Sequence, residues 1–280
     1  MSKAGVKAIV LAGDRGPDDP LARAAGVPCK AVIPLDGRLM ILRVVDALRT
    51  AGIEDILLCG PRREVIESHE ELSELLTEPG IRWIDFAPTP CTSAMAALDA
   101  VGMEGPVLLT TADHGFPKPE VFRAFLEDGM AAEGDLAFGA ARHADVVAAF
   151  PGVRRTAHRL RGDAWCGCNL FLSKSPRARD AVAYWRRVEE QRKRPWKQAQ
   201  IVGWGFLAMY AARRLSLHDA ARRIGRRMGV TVAPIRVHDP EAAVDVDSTA
   251  DWKFVAALLE DAARSDCSRE PAKASPGDLP

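Results

Sequence analysis

Short apolar runs alternate with amphipathic segments over the first 130 residues of the chain. The apolar runs have the length of buried strands, and the segments between them repeat apolar residues at helical spacing. This pattern predicts strands near Lys7–Leu11, Ala31–Pro34, Asp55–Cys59, Arg82–Phe86 and Val107–Thr111, and helices near Met40–Ala51, Arg62–Leu76, Thr92–Val101 and Pro119–Asp128. Such alternation predicts an α/β fold with a mostly parallel sheet covered on both faces and ligands at the carboxyl ends of its strands.

The second half of the chain has a mixed pattern. Between Gly134 and Lys174 the apolar segments are longer and indicate antiparallel strands in GDLAFGAAR, RRTAHRLR and AWCGCNLFL. The remaining pattern predicts helices at Arg177–Gln191 and Leu217–Met228, a strand at Val230–Val237 and a final helix at Thr249–Ala263. Residues 265–280 are polar and rich in proline, so we expect a single domain over residues 1–264 and a disordered tail after it.

Composition fits an enzyme core and narrows the range of partners. The chain has 280 residues, of which 48% are hydrophobic, and its 38 basic residues balance 38 acidic ones. This balance provides no overall field for nucleic acid or anionic membrane, and no apolar run reaches the ~20 residues of a membrane span. We therefore expect a cytoplasmic protein with no nucleic-acid partner and no stable membrane insertion. The six cysteines lack C-x₂-C spacing, so Cys166 and Cys168 are expected to be buried reduced thiols.

The loop after the first strand is the leading candidate for chemistry. The run Lys7–Leu11 opens into Ala12-Gly13-Asp14-Arg15-Gly16, and Lys30 follows a stretch rich in Pro, Gly and Asp. Small residues bring backbone N–H groups close to a ligand, and Arg15 and Lys30 would supply two cations to a triphosphate. An ordinary strand-to-helix connection that contains glycine is the alternative.

Acidic residues follow two further apolar runs. Asp113 comes directly after LLTTA, and Asp245 and Asp247 alternate with valine before the last helix. Carboxylates at strand ends are the hard oxygen ligands that Mg²⁺ prefers when it bridges a triphosphate. Asp113 could also be a helix cap or a turn residue, and the pattern does not decide between Asp245 and Asp247 as a second ligand.

Four segments in combination resemble one known family. VLAGDRGPDDPLARAAGVPCKAVIPLDGRLMILRVVDAL, PTPCTSAMAALDAV, LLTTADHGF and VDVDSTADWKFV are similar to the motifs of nucleotidyltransferases like the molybdenum-cofactor guanylyltransferase (MobA-like). The resemblance implies a three-layer α/β sandwich with a mostly parallel, mixed central sheet of the GT-A, or nucleotide-diphospho-sugar transferase, type. It further implies that residues 5–130 form the nucleotide-binding half and residues 131–264 the acceptor-binding half, which carries the second metal ligand.

The resemblance also implies roles for individual residues. Asp113 and Asp247 would bind Mg²⁺, and Arg15 and Lys30 would be the catalytic cations. The base, nucleoside and phosphates would lie against Leu11, Ala12, Gly13, Asp14, Gly16 and Ser93. The family's usual loop has a second glycine where this chain has Asp14. That difference concerns which nucleotide base the site prefers more than it concerns the reaction.

The implied reaction transfers a nucleotidyl group from an NTP to a phosphorylated sugar, alcohol or cofactor and releases pyrophosphate. CTP or GTP is the expected nucleotide. Asn169 resembles an acceptor-binding asparagine of sugar-phosphate nucleotidyltransferases. The cluster RKRPWK, with Lys193 and Lys197, would clamp the acceptor phosphate, unless it is a solvated helix end. In that case the acceptor pocket is expected near Arg154, Arg155 and Asn169.

Two other functions are alternatives to this reading. The cations of the first loop argue against a GT-A glycosyltransferase, whose donor releases no pyrophosphate. The presence of both Asp113 and Asp247 argues against a non-catalytic nucleotide-binding regulator.

Overall fold

The computed structural model describes residues 5–14, 18–152 and 155–267. The strands are β1 (Lys7–Leu11), β2 (Pro34–Leu35), β3 (Arg38–Leu39), β4 (Ile56–Cys59), β5 (Ile81–Ile84), β6 (Val107–Thr111), β7 (Leu136–Arg142), β8 (His158–Arg159), β9 (Ala164–Ser173) and β10 (Val232–Arg236). The helices are α1 (Pro20–Ala25), α2 (Met40–Thr50), α3 (Arg63–Glu67), α4 (Glu70–Leu75), α5 (Pro90–Val101), α6 (Pro119–Ala131), α7 (His143–Ala149), α8 (Ala178–Glu190), α9 (Pro195–Val202), α10 (Trp204–Ala211), α11 (Leu217–Met228) and α12 (Thr249–Cys267). Short 3₁₀ helices cover Lys30–Val32 and Pro240–Ala243.

One mixed sheet connects strands from both halves of the chain. Its order is β10-β7-β9-β6-β1-β4-β5, and β8 pairs with β9. Strand β1 is parallel to β6 and β4, and β4 is parallel to β5. Strand β9 runs antiparallel between β6 and β7, and β10 is parallel to β7. The loops that follow β1, β4, β5 and β6 therefore leave the sheet at one common edge.

Helices cover both faces of the sheet. Ala8 and Val10 of β1 belong to the larger apolar cluster, which includes α2 and α6. Ile9 points to the opposite face and packs in the cluster that includes α5. Helix α8 lies against α5, where Arg179 donates two hydrogen bonds to Asp99 at 2.8 and 2.9 Å. This arrangement is the predicted three-layer α/β sandwich.

The chain after Lys30 does not form the strand predicted at Ala31–Pro34, so that prediction is wrong. The Ile33 N–H donates to the Lys30 carbonyl at 3.2 Å and forms a 3₁₀ turn, and only Pro34–Leu35 is extended. Asp36 and Gly37, with φ of 52° and 72°, then reverse the chain into the β2–β3 hairpin. Local hydrogen bonds and a two-residue turn thus replace pairing in the main sheet.

Helical structure also departs from the prediction in several places. The single helix expected over Arg62–Leu76 is two helices, because the His69 ring bonds the Val65 carbonyl at 2.7 Å and the Ser73 hydroxyl bonds the Ile66 carbonyl at 3.0 Å. Helices α1, α7, α9 and α10 were not predicted, and the strand expected in RRTAHRLR is reduced to β8. Helix α12 continues to Cys267, so residues 265–267 of the predicted tail are helical. Residues 268–280 lie outside the described residues.

Candidate active site

Lys30 joins two carboxylates, one from each half of the chain. Its Nζ donates to Oδ2 of Asp113 at 2.5 Å and to Oδ1 of Asp247 at 2.9 Å. Burial of the ammonium opposes its charge, but the two carboxylates outweigh burial and raise the pKa of Lys30 above its ordinary value. The predicted catalytic lysine and the two predicted metal ligands therefore form one cluster, which we call the Lys30 cluster.

Backbone pairing explains how Asp247 reaches Asp113. The segment Val244–Asp247 runs antiparallel to the residues that follow β6, and its β-bridge joins His114 to Asp245. On either side of that bridge, the Gly115 N–H donates to the Val244 carbonyl and the Val246 N–H donates to the Asp113 carbonyl, each at 2.8 Å. These bonds fix the carboxyl edge of β6 beside the segment that carries Asp247.

Gly115 is the residue that permits this close approach. A Cβ at position 115 would lie 2.8 Å from Cγ2 of Val255 and 3.1 Å from the Val244 carbonyl oxygen. Contacts this short require the surrounding backbone or side chain to move. A side chain at position 115 would therefore push the Val244–Asp247 segment away from β6.

The Asp113 carboxylate is held in its ionised form. The Thr111 hydroxyl donates to Oδ1 at 2.5 Å, while Lys30 binds Oδ2. Burial favours the neutral acid, but the Lys30 ammonium and the Thr111 hydrogen bond outweigh burial and lower the pKa of Asp113. The carboxylate is consequently charged at neutral pH and orientated by two donors.

Asp245 faces His114 rather than Lys30. Its Oδ1 lies 3.8 Å from Nδ1 of His114, and it has no hydrogen-bond partner in the part of the chain that the structure describes. Burial and the nearby charge of Asp113 raise the pKa of Asp245 to about 7. Burial also lowers the pKa of His114, whose Nε2 bonds the Thr110 hydroxyl at 2.9 Å. Of the two aspartates, Asp247 is the one that shares a cation with Asp113.

The first loop lies at the same edge of the sheet. Leu11 is level with Cys59 of β4 and Thr111 of β6, so the chain leaves the centre of the sheet at this point. Ala12 is buried and its N–H donates to the Cys59 carbonyl at 2.8 Å, whereas Gly13 is exposed. Leu11, Ala12 and Gly13 therefore line the carboxyl edge.

The rest of that loop is only partly described. Asp14 is half-buried and is the last residue of the first described range. Arg15 and Gly16, predicted as a catalytic cation and a nucleotide contact, lie outside the described residues. The predictions for these two residues stay predictions.

An aromatic ring borders the loop on one side. A Cβ at Gly13 would touch the Phe86 ring at 3.4 Å, and the Arg62 guanidinium lies 5.0 Å from the centroid of that ring. Gly60 has φ of 87° and comes so close to Ala12 that a Cβ there would lie 2.7 Å from the Ala12 carbonyl oxygen. The loops after β1, β4 and β5 are thus in mutual contact, and Phe86 offers a ring for stacking.

Ser93 is buried beside this group of loops. Its hydroxyl donates to the Ala87 carbonyl at 3.1 Å and accepts from the Ala87 N–H at 2.9 Å. The side chain therefore fixes the loop after β5 to the first turn of α5. Ser93 therefore supports the loop that carries Phe86, and its predicted contact with the nucleotide stays a prediction.

Asn169 lies at an irregularity in β9. The register between β7 and β9 shifts between Phe138 and Ala140, and Asn169 has φ of 49°. A left-handed conformation is uncommon outside glycine, but asparagine adopts it more readily than most residues. Such bulges re-aim a side chain near functional sites. Burial of its neighbour Cys168, together with the nearby Asp245 carboxylate, raises the pKa of that thiol.

A basic cavity begins beside the carboxylates. Arg155 donates to the Asp245 carbonyl at 2.5 Å, and its guanidinium lies 3.6 Å from the Asp251 carboxylate. The same arginine lines a cavity of about 710 Å³ to which Arg159, Arg161 and Arg213 also contribute. We call this space the arginine cavity.

The two lysines predicted for the acceptor lie elsewhere in the second half. Lys193 is exposed in the turn between α8 and α9, and Lys197 lies on α9. Within the described ranges, neither side chain forms a hydrogen bond or an ion pair with the Lys30 cluster. Their acceptor role stays a prediction.

Several residues of this site were missed in the sequence. Thr111 and His114 flank the predicted Asp113 in LLTTADHGF, so their positions were visible but their partners were not. Phe86 is the last residue of the predicted strand Arg82–Phe86, and this position at a strand end is the available signal for it. Arg155 was named only as an alternative acceptor contact together with Arg154, which lies outside the described residues. Nothing in the sequence pattern connects Arg155 to Asp245, because that contact depends on the tertiary fold.

Three solved structures are similar to this chain over most of its length. A hypothetical transferase from Thermus thermophilus is 32% identical to this chain with a TM-score of 0.73, and the match covers 89% of this chain and 99% of that one. The 4-diphosphocytidyl-2C-methyl-D-erythritol synthase of Anaerococcus prevotii is 13% identical with a TM-score of 0.55, covering 91% of this chain and 96% of that one. A CMP:2-keto-3-deoxy-manno-octonic acid synthetase in complex with CTP is 13% identical with a TM-score of 0.58, covering 92% of this chain and 100% of that one. The fold is therefore that of the nucleotide-diphospho-sugar transferases.

The family of this chain is identified by a comparison of its sequence with protein-family models. The model of the MobA-like NTP transferase domain matches residues 8–228, and the chain belongs to this family of nucleotidyltransferases. A search of curated proteins gave no match. The matched range includes Lys30 and Asp113, and Asp247 lies beyond it.

Proposed function

We propose that the protein is a Mg²⁺-dependent nucleotidyltransferase. It transfers a nucleotidyl group from an NTP to a phosphorylated sugar, alcohol or cofactor and releases pyrophosphate. The observation that carries this proposal is the Lys30 cluster, in which one ammonium contacts both Asp113 and Asp247 beside the Leu11–Asp14 loop. A lysine and two carboxylates at a strand edge are the groups that a metal-bound triphosphate requires.

Asp113 and Asp247 are the residues that would hold Mg²⁺. Their oxygens already converge on one cation, and Mg²⁺ is usually bound by one or two carboxylates together with substrate phosphates and water. A bound Mg²⁺ would neutralise phosphate charge and orient the triphosphate. The described residues contain no group of three or more His, Cys, Asp or Glu side chains arranged for a metal, so phosphate oxygens would have to complete the coordination.

Lys30 then acts on the nucleotide. When a triphosphate competes for the same position, the ammonium can exchange its carboxylate partners for phosphate oxygens without leaving the cluster. Its raised pKa keeps it charged at neutral pH, so it stabilises the charge that develops on the leaving pyrophosphate. Arg15, which belongs in sequence to the loop after β1, would act together with Lys30.

The attacking group needs no protein base. An acceptor phosphate is already ionised at neutral pH, so catalysis consists of positioning and charge neutralisation. His114 fits this view, since it is buried and bonded to Thr110. Its role is to support the pairing between the β6 edge and the Val244–Asp247 segment.

We propose that the acceptor enters through the arginine cavity. Arg155 contacts the segment that carries Asp247 and also lines the cavity, so a phosphate bound there would approach the Lys30 cluster. Asn169 lies in the same half of the chain. Lys193 and Lys197 have no comparable connection to the carboxylates among the described residues, which is why we favour the cavity over them.

The test is pyrophosphate release from the purified chain. The four NTPs are each assayed with a panel of sugar, alcohol and cofactor phosphates, in Mg²⁺ and in excess EDTA. CTP is tested first, because one protein of this fold is a 4-diphosphocytidyl-2C-methyl-D-erythritol synthase and another is a synthetase solved in complex with CTP. We expect Mg²⁺-dependent pyrophosphate release with one NTP. Sugar transfer from a nucleotide-sugar without pyrophosphate release would instead identify a glycosyltransferase.

A further inference from the structure

Helix α10 combines an apolar sequence with an exposed position. Its residues are Trp-Gly-Phe-Leu-Ala-Met-Tyr-Ala, and none of them is buried. The Trp204 side chain at its start is 62% exposed, and Trp196 of the preceding helix is 57% exposed. Apolar surface of this kind normally has a partner, because its exposure to water is unfavourable.

Cations surround this helix in sequence. The 28 residues from Gln191 to His218 contain six Lys or Arg residues and no Asp or Glu, whereas the whole chain has a net charge of zero. Arg192, Lys193, Arg194 and Lys197 precede α10, and Arg213 and Arg214 follow it. Within the ranges that the structure describes, none of the six forms a salt bridge with a carboxylate. We call residues 191–218 the basic apolar segment.

The segment is fixed to the rest of the protein at defined points. The Tyr184 hydroxyl of α8 donates to the Ile201 carbonyl at 3.0 Å, and the Tyr210 hydroxyl bonds the His158 ring at 3.1 Å. Helix α10 packs against α9 and α11. Trp196 and Trp204 therefore belong to an ordered surface, and their exposure comes from the fold.

We propose that the basic apolar segment binds the surface of an anionic lipid bilayer. Exposed tryptophans beside apolar residues enter the interfacial region of a bilayer, and flanking Lys and Arg residues bind anionic headgroups. No helix in the described ranges is long and apolar enough to cross a membrane, so the contact would be peripheral. This inference does not depend on the proposed reaction.

Charge complementarity favours a bilayer over two other occupants. A two-fold dimer would bring the same patch of both copies together and oppose six cations to six cations. The sequence after α12 is SREPAKASPGDLP, which has one leucine and no aromatic residue to cover two tryptophans. An anionic bilayer matches both the charge and the apolar side chains.

The experiment is co-sedimentation of the full chain with lipid vesicles. One set is phosphatidylcholine alone, and the other is phosphatidylcholine with an equal amount of phosphatidylglycerol. We expect binding to the anionic vesicles only, weakened by added salt. The double variant Arg192→Glu/Arg194→Glu should bind at least about tenfold more weakly, because each cation near an anionic surface contributes about fivefold. Trp204→Ser should weaken binding several-fold.

Matched controls separate this surface from general charge and aromatic effects. Arg23→Glu/Lys253→Glu reverses two exposed cations on α1 and α12, and Trp185→Ser removes a tryptophan of α8 that is 43% exposed. Both controls should bind as the parent does, and melting curves should show that every variant folds. Equal loss in variants and controls, or no binding by the parent, would overturn the proposal. A concentration-dependent dimer that Trp204→Ser dissociates, without vesicle binding, would assign the surface to a second copy.

Discussion

The Lys30 ammonium lies 2.5 Å from the Asp113 carboxylate, although 83 residues separate the two in sequence. Asp247, which is 217 residues from Lys30, accepts from the same nitrogen at 2.9 Å. An ammonium between two carboxylates offsets one of their two negative charges in the protein without nucleotide. The same cation can then turn to phosphate when a triphosphate and its metal bind, so one residue serves both states of the site.

Replacement of this cation should therefore affect the nucleotide first. Lys30→Met should lower kcat/KM for the NTP at least about hundredfold, because it removes a charged contact to the triphosphate and leaves two carboxylates that repel it. Initial rates of pyrophosphate release against NTP concentration measure this effect. Lys253→Met, at an exposed lysine of α12, is the control. A Lys30→Met enzyme within about tenfold of the parent would remove Lys30 from the nucleotide site.

The two candidate second ligands can be separated by substitution. Asp113→Asn and Asp247→Asn should each abolish most turnover and raise the Mg²⁺ concentration needed for half-maximal rate, because a lost ligand charge costs several kcal/mol. Asp245→Asn should leave that Mg²⁺ concentration near the parent value, since Asp245 faces His114. The measurement is a Mg²⁺ titration of the rate for all three variants. A shift for Asp245→Asn as large as that for Asp247→Asn would make Asp245 the second ligand.

A substitution away from the cluster tests the pairing that positions Asp247. Gly115→Ala adds a Cβ that would meet Val255 at 2.8 Å and the Val244 carbonyl at 3.1 Å. Overpacking of this kind typically destabilises a protein by about 1–3 kcal/mol. We expect a lower melting temperature and a lower kcat together, because Asp247 moves with its segment.

The control for this prediction is Gly205→Ala in α10. A Cβ at position 205 meets nothing within 4 Å, and alanine favours a helix over glycine. Its melting temperature should equal or exceed that of the parent. If Gly115→Ala melts like Gly205→Ala, the Val244–Asp247 segment tolerates a side chain there and the pairing is looser than the structure indicates.

The central strands could be predicted because each one is a short, continuous apolar run. Strands β1 and β6 have the predicted bounds, since buried parallel strands carry apolar residues on both faces and end where polar residues begin. The chain from Ala31 to Pro34 is also apolar, but Ala31 and Val32 are buried in a 3₁₀ turn and Pro34 begins the short strand β2. Helix α10 could not be predicted for a different reason. Its apolar residues show neither the alternation of a strand nor the polar face of an amphipathic helix.

The candidate site, like the fold, could be predicted from the sequence only in part. Lys30 and Asp113 were predicted because each is a charged residue next to an apolar run, whereas the pattern left Asp245 and Asp247 open and the family resemblance pointed to Asp247. Their direct contact could not be predicted, because it depends on the antiparallel pairing of Val244–Asp247 with the residues after β6. The pairing has no sequence signature, since its bonds come from backbone groups. Arg155 was named only as an alternative acceptor contact, and its bond to the Asp245 carbonyl could not be predicted for the same reason.

The position of the acceptor distinguishes the arginine cavity from the lysines predicted in sequence. If the phosphorylated acceptor enters through the cavity, Arg159→Ala should raise its KM about tenfold with little change in the KM for the NTP, because an exposed charged hydrogen bond contributes roughly 1–3 kcal/mol. The effect should shrink in high salt, since Arg159 is exposed. Lys193→Ala provides the opposing measurement with the same acceptor. A raised acceptor KM for Lys193→Ala and an unchanged one for Arg159→Ala would move the acceptor to the α8–α9 turn, because a cation that does not touch the acceptor phosphate cannot change its KM selectively.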